Sequence, residues 1–91
     1  MGHTIYYRVN LRKWKEFVAF IKRACSGLEL ETVTEGNVIL IFPNCRGVEP
    51  LRIPKVGEGF VKTNLVEPCH SIYTLVLYSI SSFGGVSVWE D

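Results

Sequence analysis

Neither sign of charge is in excess along this chain, where Lys and Arg number 10 against 9 Asp and Glu. A chain so close to neutral has no overall field to attract a polyanion, so binding driven by phosphate neutralisation is not expected. Several motifs are also missing: a C-x-x-C pair, a phosphate loop with glycine before its Lys-Thr, the third glycine of a dinucleotide fingerprint, and a G-x-S-x-G serine. These absences remove the enzyme classes that announce themselves by motif. The N-terminal segment MGHTIYYRV has no apolar run behind a basic start, which leads us to expect no secretory leader and an intracellular, cytoplasmic location. In that reducing setting the odd set of cysteines, Cys25, Cys45 and Cys69, is expected to be mostly free. The longest stretch without Asp, Glu, Lys or Arg, Pro68 to Trp89, approaches the roughly 20 apolar residues that span a bilayer. Ser71, Thr74, Ser79, Ser81, Ser82, Gly84 and Gly85 interrupt it, so it reads as a core segment, with no membrane association expected.

What the chain does have is apolar content, 47% of its 91 residues, which puts it in the globular range and away from disorder. A chain of this length supports one core, so residues 1–91 are expected to form a single domain. A domain this small can bury only part of its apolar surface, and a second copy is the expected cover: a homodimer, with another protein as the other possible partner. The charges are unevenly spread. Arg8, Arg12, Lys13, Lys15, Lys22 and Arg23 precede residue 24 with Glu16 as the one acid among them, a distribution that a solvated helix face accounts for.

His3 to Val9 alternates with Ile5, Tyr7 and Val9 on one face and Thr4, Tyr6 and Arg8 on the other, the pattern of a strand. Asn10 stands at an N-cap position, and from Leu11 to Cys25 the residues Leu11, Trp14, Val18, Ile21 and Cys25 recur at helical spacing, widened by Phe17, Phe20 and Ala24. Gly27 is expected to stop this helix in the left-handed conformation. A hairpin follows, Leu28–Thr34 against the continuous apolar run Val38–Phe42, turning at Glu35-Gly36-Asn37. A second, shorter hairpin is expected over Pro50–Val56 and Phe60–Val66, closed by Gly57-Glu58-Gly59, with Pro50 and Pro54 confining its first strand to an edge. Pro68 to Phe83 has strand-like content, but Pro68 suits a first helical position, Gly84-Gly85 end the segment, and Cys69, Ile72, Val76, Ile80 and Phe83 form a helical stripe. Val86–Trp89 is expected to be a last strand. The order is β-α-β-β, an inserted hairpin at about 48–66, then α-β. Without the insert it resembles the ferredoxin-like split βαβ arrangement, an α+β fold whose antiparallel sheet carries two helices on one face. That topology serves many functions and implies none.

The sharpest chemical feature is Cys69-His70. A thiol in the first turn of a helix is favoured as thiolate by the helix dipole, and a neighbouring His can act as its base, so Cys69 and His70 are the candidate catalytic pair. Against this, adjacent helical residues do not face each other, and Cys69 also belongs to the apolar stripe. Lys62, Arg46 and Glu67 are candidate ligand contacts at the same corner, with the glycine-rich segment before Lys62 offering backbone N–H groups to an anion. His3, Cys45, Cys69 and His70 supply four zinc-type donors, but the one close pair is adjacent in sequence where structural sites use a spacing of about two to four residues, so no metal or other cofactor is expected. Tyr6 and Phe42, with Arg8, are placed on an expected exposed sheet face. Aromatic residues there can stack on bases, yet the RNP pattern is absent and the charge is neutral, so nucleic acid is not the expected partner and a protein interface is the better reading. The sequence thus favours a non-catalytic binding or assembly module that self-associates through its sheet face. The alternatives are a thiol-dependent enzyme or small-anion site at Cys69 and His70, and a metal- or nucleic-acid-binding protein.

Overall fold

The computed structural model describes residues 2–91. The chain is α+β, with elements β1 (Thr4–Asn10), α1 (Trp14–Gly27), β2 (Thr32–Glu35), β3 (Val38–Ile41), β4 (Leu51–Pro54), β5 (Val56–Lys62), α2 (Cys69–Ser79), a 3-10 turn (Ile80–Ser82) and β6 (Gly85–Glu90). The strands form two antiparallel three-stranded sheets, β5-β1-β6 and β2-β3-β4, in place of the one sheet that the ferredoxin-like reading expects. The reason lies in the expected inserted hairpin. Its two strands belong to different sheets: β4 pairs with β3, and β5 pairs with β1 along its full length from Thr4↔Lys62 to Asn10↔Val56. The segment joins the sheets and is no appendage to either. Lys55, between β4 and β5, donates its N–H to the Asn37 carbonyl at 2.7 Å and accepts the Leu11 N–H at 2.7 Å.

Gly57 and Gly59 are therefore strand residues and make no turn. Gly59 is opposite Tyr7 in the β1–β5 register, and a Cβ there would come within 2.7 Å of the Tyr7 hydroxyl and 2.8 Å of its ring. Glycine leaves the space through which Tyr7 crosses β5 and donates its hydroxyl to the Arg52 carbonyl on β4. Gly84 also answers to packing, because any side chain there would run into the Asn10 carbonyl. The prolines act as expected, with β4 at a sheet edge.

One core takes in the inward residues of both sheets, Ile5, Tyr7, Val9 and Val61 with Ile39, Ile41, Leu51 and Ile53, together with Phe17, Ile21 and Cys25 of α1 and Tyr73 and Leu77 of α2. Each such large apolar side chain contributes about 1.5–3 kcal/mol by leaving water. The α1 stripe is Phe17, Ile21 and Cys25, one residue every four, while Phe20 stays 40% exposed. The helix starts later than Asn10 suggests. Asn10 is still paired in β1, Leu11 is buried, and the helix opens after Lys13, whose N–H is held by the Phe83 carbonyl. At the other end the left-handed residue is Glu29, with φ 59°, and Gly27 remains helical. The ambiguous apolar segment is helix α2 followed by the 3-10 turn, after a cis Glu67–Pro68 peptide.

Candidate functional site

Two places on this fold gather chemically capable side chains. The first is the corner where the start of β1, the end of β5, the first turn of α2 and the end of β6 meet. Cys69, at the start of α2, is bonded to Cys45 from the loop between β3 and β4, with Cα atoms 6.3 Å apart. This corrects the expectation of free thiols, since Cys25 alone is free; it is buried, and burial pushes its thiol pKa up. It also corrects the catalytic pairing. Cys69 is 1% exposed and carries no thiol, while His70 turns away from it, as neighbours on a helix do.

His70 instead joins a set that the sequence divides among residues 3, 63, 70 and 90. Its Nδ1 is 2.7 Å from Thr63 Oγ1, and its Nε2 is 3.1 Å from Glu90 Oε1. His3 Nε2 reaches the same carboxylate oxygen at 2.7 Å, and the two imidazole rings meet edge to face with centroids 5.2 Å apart. The position of Thr63 is fixed from several sides: it is fully buried, its hydroxyl accepts the Leu65 N–H, and its own N–H is held by the His3 carbonyl. The left-handed Asn64 and Leu65, with φ of 53° and 60°, turn the chain between Thr63 and α2. Such conformations cost about 1–3 kcal/mol each and persist where the surroundings enforce them. The sequence offers His3 as a donor alongside His70. It does not offer Glu90, because only the pairing Ile5↔Glu90 between β1 and β6 brings that residue to this corner.

Of the expected ligand contacts, Glu67 has its carboxylate engaged within the first turn of α2. Both carboxylate oxygens of Glu67 are taken by Ser71, one by its backbone N–H at 2.9 Å and one by its hydroxyl at 2.7 Å. The N–H bond first, then the hydroxyl, hold the Glu67 carboxyl below its usual range. Glu67, one residue before the Pro68 N-cap, thus satisfies a backbone N–H in the first turn of α2. Lys62 donates its backbone N–H to Glu49 Oε1, and Arg46 is exposed in the loop after Cys45. Among the described residues no side-chain hydrogen bond joins either cation to His70.

The second place is the outer face of the β5-β1-β6 sheet. Strand register aligns Phe60, Tyr6 and Trp89 in one row across all three strands. Tyr6 stacks on Trp89 with planes 10° apart and centroids 6.0 Å apart, and meets Phe60 at 6.2 Å. Phe60 is 60% exposed and Trp89 46%. Arg8 and Glu58 form an exposed pair at 3.2 Å on one side of this row. A shallow open basin of about 590 Å³ adjoins them, lined by Arg8, Asn10, Val56, Glu58 and Ser87. On the other side the register sets Lys62 and Asp91 beside Thr4. Tyr6 and Arg8 are on this face as expected. Phe42 is not: it follows β3 of the other sheet and pairs its N–H with the Glu31 carbonyl. Phe60 and Trp89 take its place.

No protein-family model, curated protein or solved structure matches this chain. No helix among the described residues is long and apolar enough to cross a membrane.

Proposed function

We propose that this protein is a non-catalytic binding module that self-associates through the outer face of its β5-β1-β6 sheet. The observation that carries this reading is the row Phe60–Tyr6–Trp89, three aromatic side chains in contact on a face that the fold leaves uncovered. Rigid aromatic side chains of this kind are the usual anchors of protein interfaces, because they bury much area while ordering few torsions.

The charges around the row favour a second copy. Arg8 and Lys62 are balanced by Glu58 and Asp91, so the face carries no net charge to draw a polyanion, but it is complementary to itself. A two-fold axis running along β1 sets Lys62 of one copy against Asp91 of the other. An axis across the strands through Tyr6 sets Lys62 against Glu58. Either isologous arrangement covers the aromatic row with its own image. A bond such as Cys45–Cys69 belongs to oxidising compartments, which counts against the cytoplasmic location.

Light scattering after size exclusion tests the proposal. The expected result is a dimer that Trp89→Glu or Phe60→Glu converts to a folded monomer. A wild-type chain that stays monomeric at high concentration, or a dimer indifferent to both changes, overturns it.

A further inference from the structure

We infer that His3, His70 and Glu90 form a binding site for a divalent first-row transition ion, with zinc as the natural occupant. Three donors converge there, one just before β1, one in α2 and one in β6. Nε2 of His3, Nε2 of His70 and a carboxylate oxygen of Glu90 lie within 4.8 Å of one another. Ligands about 2.0–2.1 Å from a tetrahedral zinc sit on the order of 3.3 Å apart. The two nitrogens are already 2.7 and 3.1 Å from the same carboxylate oxygen, so an ion entering between them widens these separations by a few tenths of an ångström. The rings are largely covered by protein, with side chains 20% and 13% exposed, while Glu90 at 36% leaves the approach open from solvent.

The atom behind the first ligands also fits. A metal-bound imidazole normally presents its second nitrogen as a donor to an oxygen, which fixes the ring and its tautomer. Thr63 Oγ1 stands 2.7 Å from His70 Nδ1 for that purpose, on a fully buried residue. In the loaded site the His70 Nδ1–H donates to Thr63 and leaves Nε2 to the ion. The donor set of two imidazoles and one carboxylate selects zinc, copper, nickel or iron over calcium and magnesium, which prefer all-oxygen sites. Three protein ligands leave a fourth position for water. The two cysteines that compete for zinc in the sequence are removed by their bond to each other.

Isothermal titration of zinc chloride into the oxidised, tag-free protein tests the site, with cobalt(II) visible absorption reporting coordination geometry. The expected result is one ion per chain, with intense tetrahedral cobalt bands, and at least tenfold weaker binding in His3→Ala, His70→Ala and Glu90→Gln. Thr63→Val keeps all three ligands and is expected to weaken binding by about 10–100-fold, the usual effect of losing such a partner. Circular dichroism of each variant separates ligand loss from unfolding, and His3→Ala removes a partly exposed side chain near the chain start, so it leaves the core intact. Absence of saturable one-to-one binding overturns the site. So does binding of unchanged strength in folded His3→Ala and Glu90→Gln.

Discussion

Tyr7 and Gly59 face each other across the β1–β5 ladder, and the phenol of the first occupies the volume that a side chain on the second would need. Beyond it, the Tyr7 hydroxyl donates to the Arg52 carbonyl on β4. A residue of one sheet thus reaches a strand of the other through a gap that glycine alone leaves open.

Gly59→Ala is accordingly expected to destabilise the protein by about 1–3 kcal/mol, the usual penalty of overpacking a closed core. Tyr7 is 1% exposed and tied by its hydroxyl, so it has little room to yield. Urea unfolding measures the effect, and a double-mutant cycle isolates its cause: in a Tyr7→Ala background the alanine should be nearly harmless. A Gly59→Ala penalty of the same size in both backgrounds would show that strand propensity, not Tyr7, is responsible.

The buried tyrosines make stability sensitive to alkali. Burial pushes the Tyr7 hydroxyl up to about 12, with Arg52 opposing in part, and burial raises Tyr73 in the same direction. In the unfolded chain a phenol ionises near pH 10. The native state therefore keeps protons that the unfolded state releases, so the stabilisation is complete below about pH 10 and declines as pH rises from there through about 12. Denaturant midpoints taken at rising pH should fall across that window, and Tyr7→Phe should flatten the fall. Midpoints independent of pH in this range would contradict the burial of both phenols.

The Cys45–Cys69 bond closes a loop of 24 residues, for which the restriction of the unfolded chain corresponds to about 3–4 kcal/mol. Reductant should lower the urea midpoint accordingly. Cys45→Ser should unfold at the midpoint of the reduced protein and ignore reductant. Thiol titration in denaturant should count one thiol before reduction and three after; three from the outset would refute the bond.

The parts of this fold that were legible in the sequence are those set by local spacing. The helical recurrence of Leu11, Trp14, Val18, Ile21 and Cys25 predicts α1, the prolines around Leu51 predict an edge strand, and the glycines after Phe83 predict the end of the second helical segment. The misread parts have distant causes. Gly57-Glu58-Gly59 looks like a turn because nothing near it reveals Tyr7, and the ferredoxin-like sheet fails because β5 chooses β1 as its neighbour. The same holds at both candidate sites. The sequence groups His3 and His70 with Cys45 and Cys69, and the fold separates that set into a disulfide and a histidine pair completed by Glu90. Alternation along β1 places Tyr6 on an exposed face, but Phe60 and Trp89 become its neighbours through strand register, which periodicity within one segment does not specify.

Lys55 has a mechanical consequence. It stands where the chain leaves one sheet for the other, and both of its backbone groups are bonded, to the Asn37 carbonyl and to the Leu11 N–H. The crossing point is consequently stapled to the β2–β3 turn on one side and to the entry into α1 on the other. Buried residues of both sheets share one core, so opening one sheet exposes apolar side chains of the other.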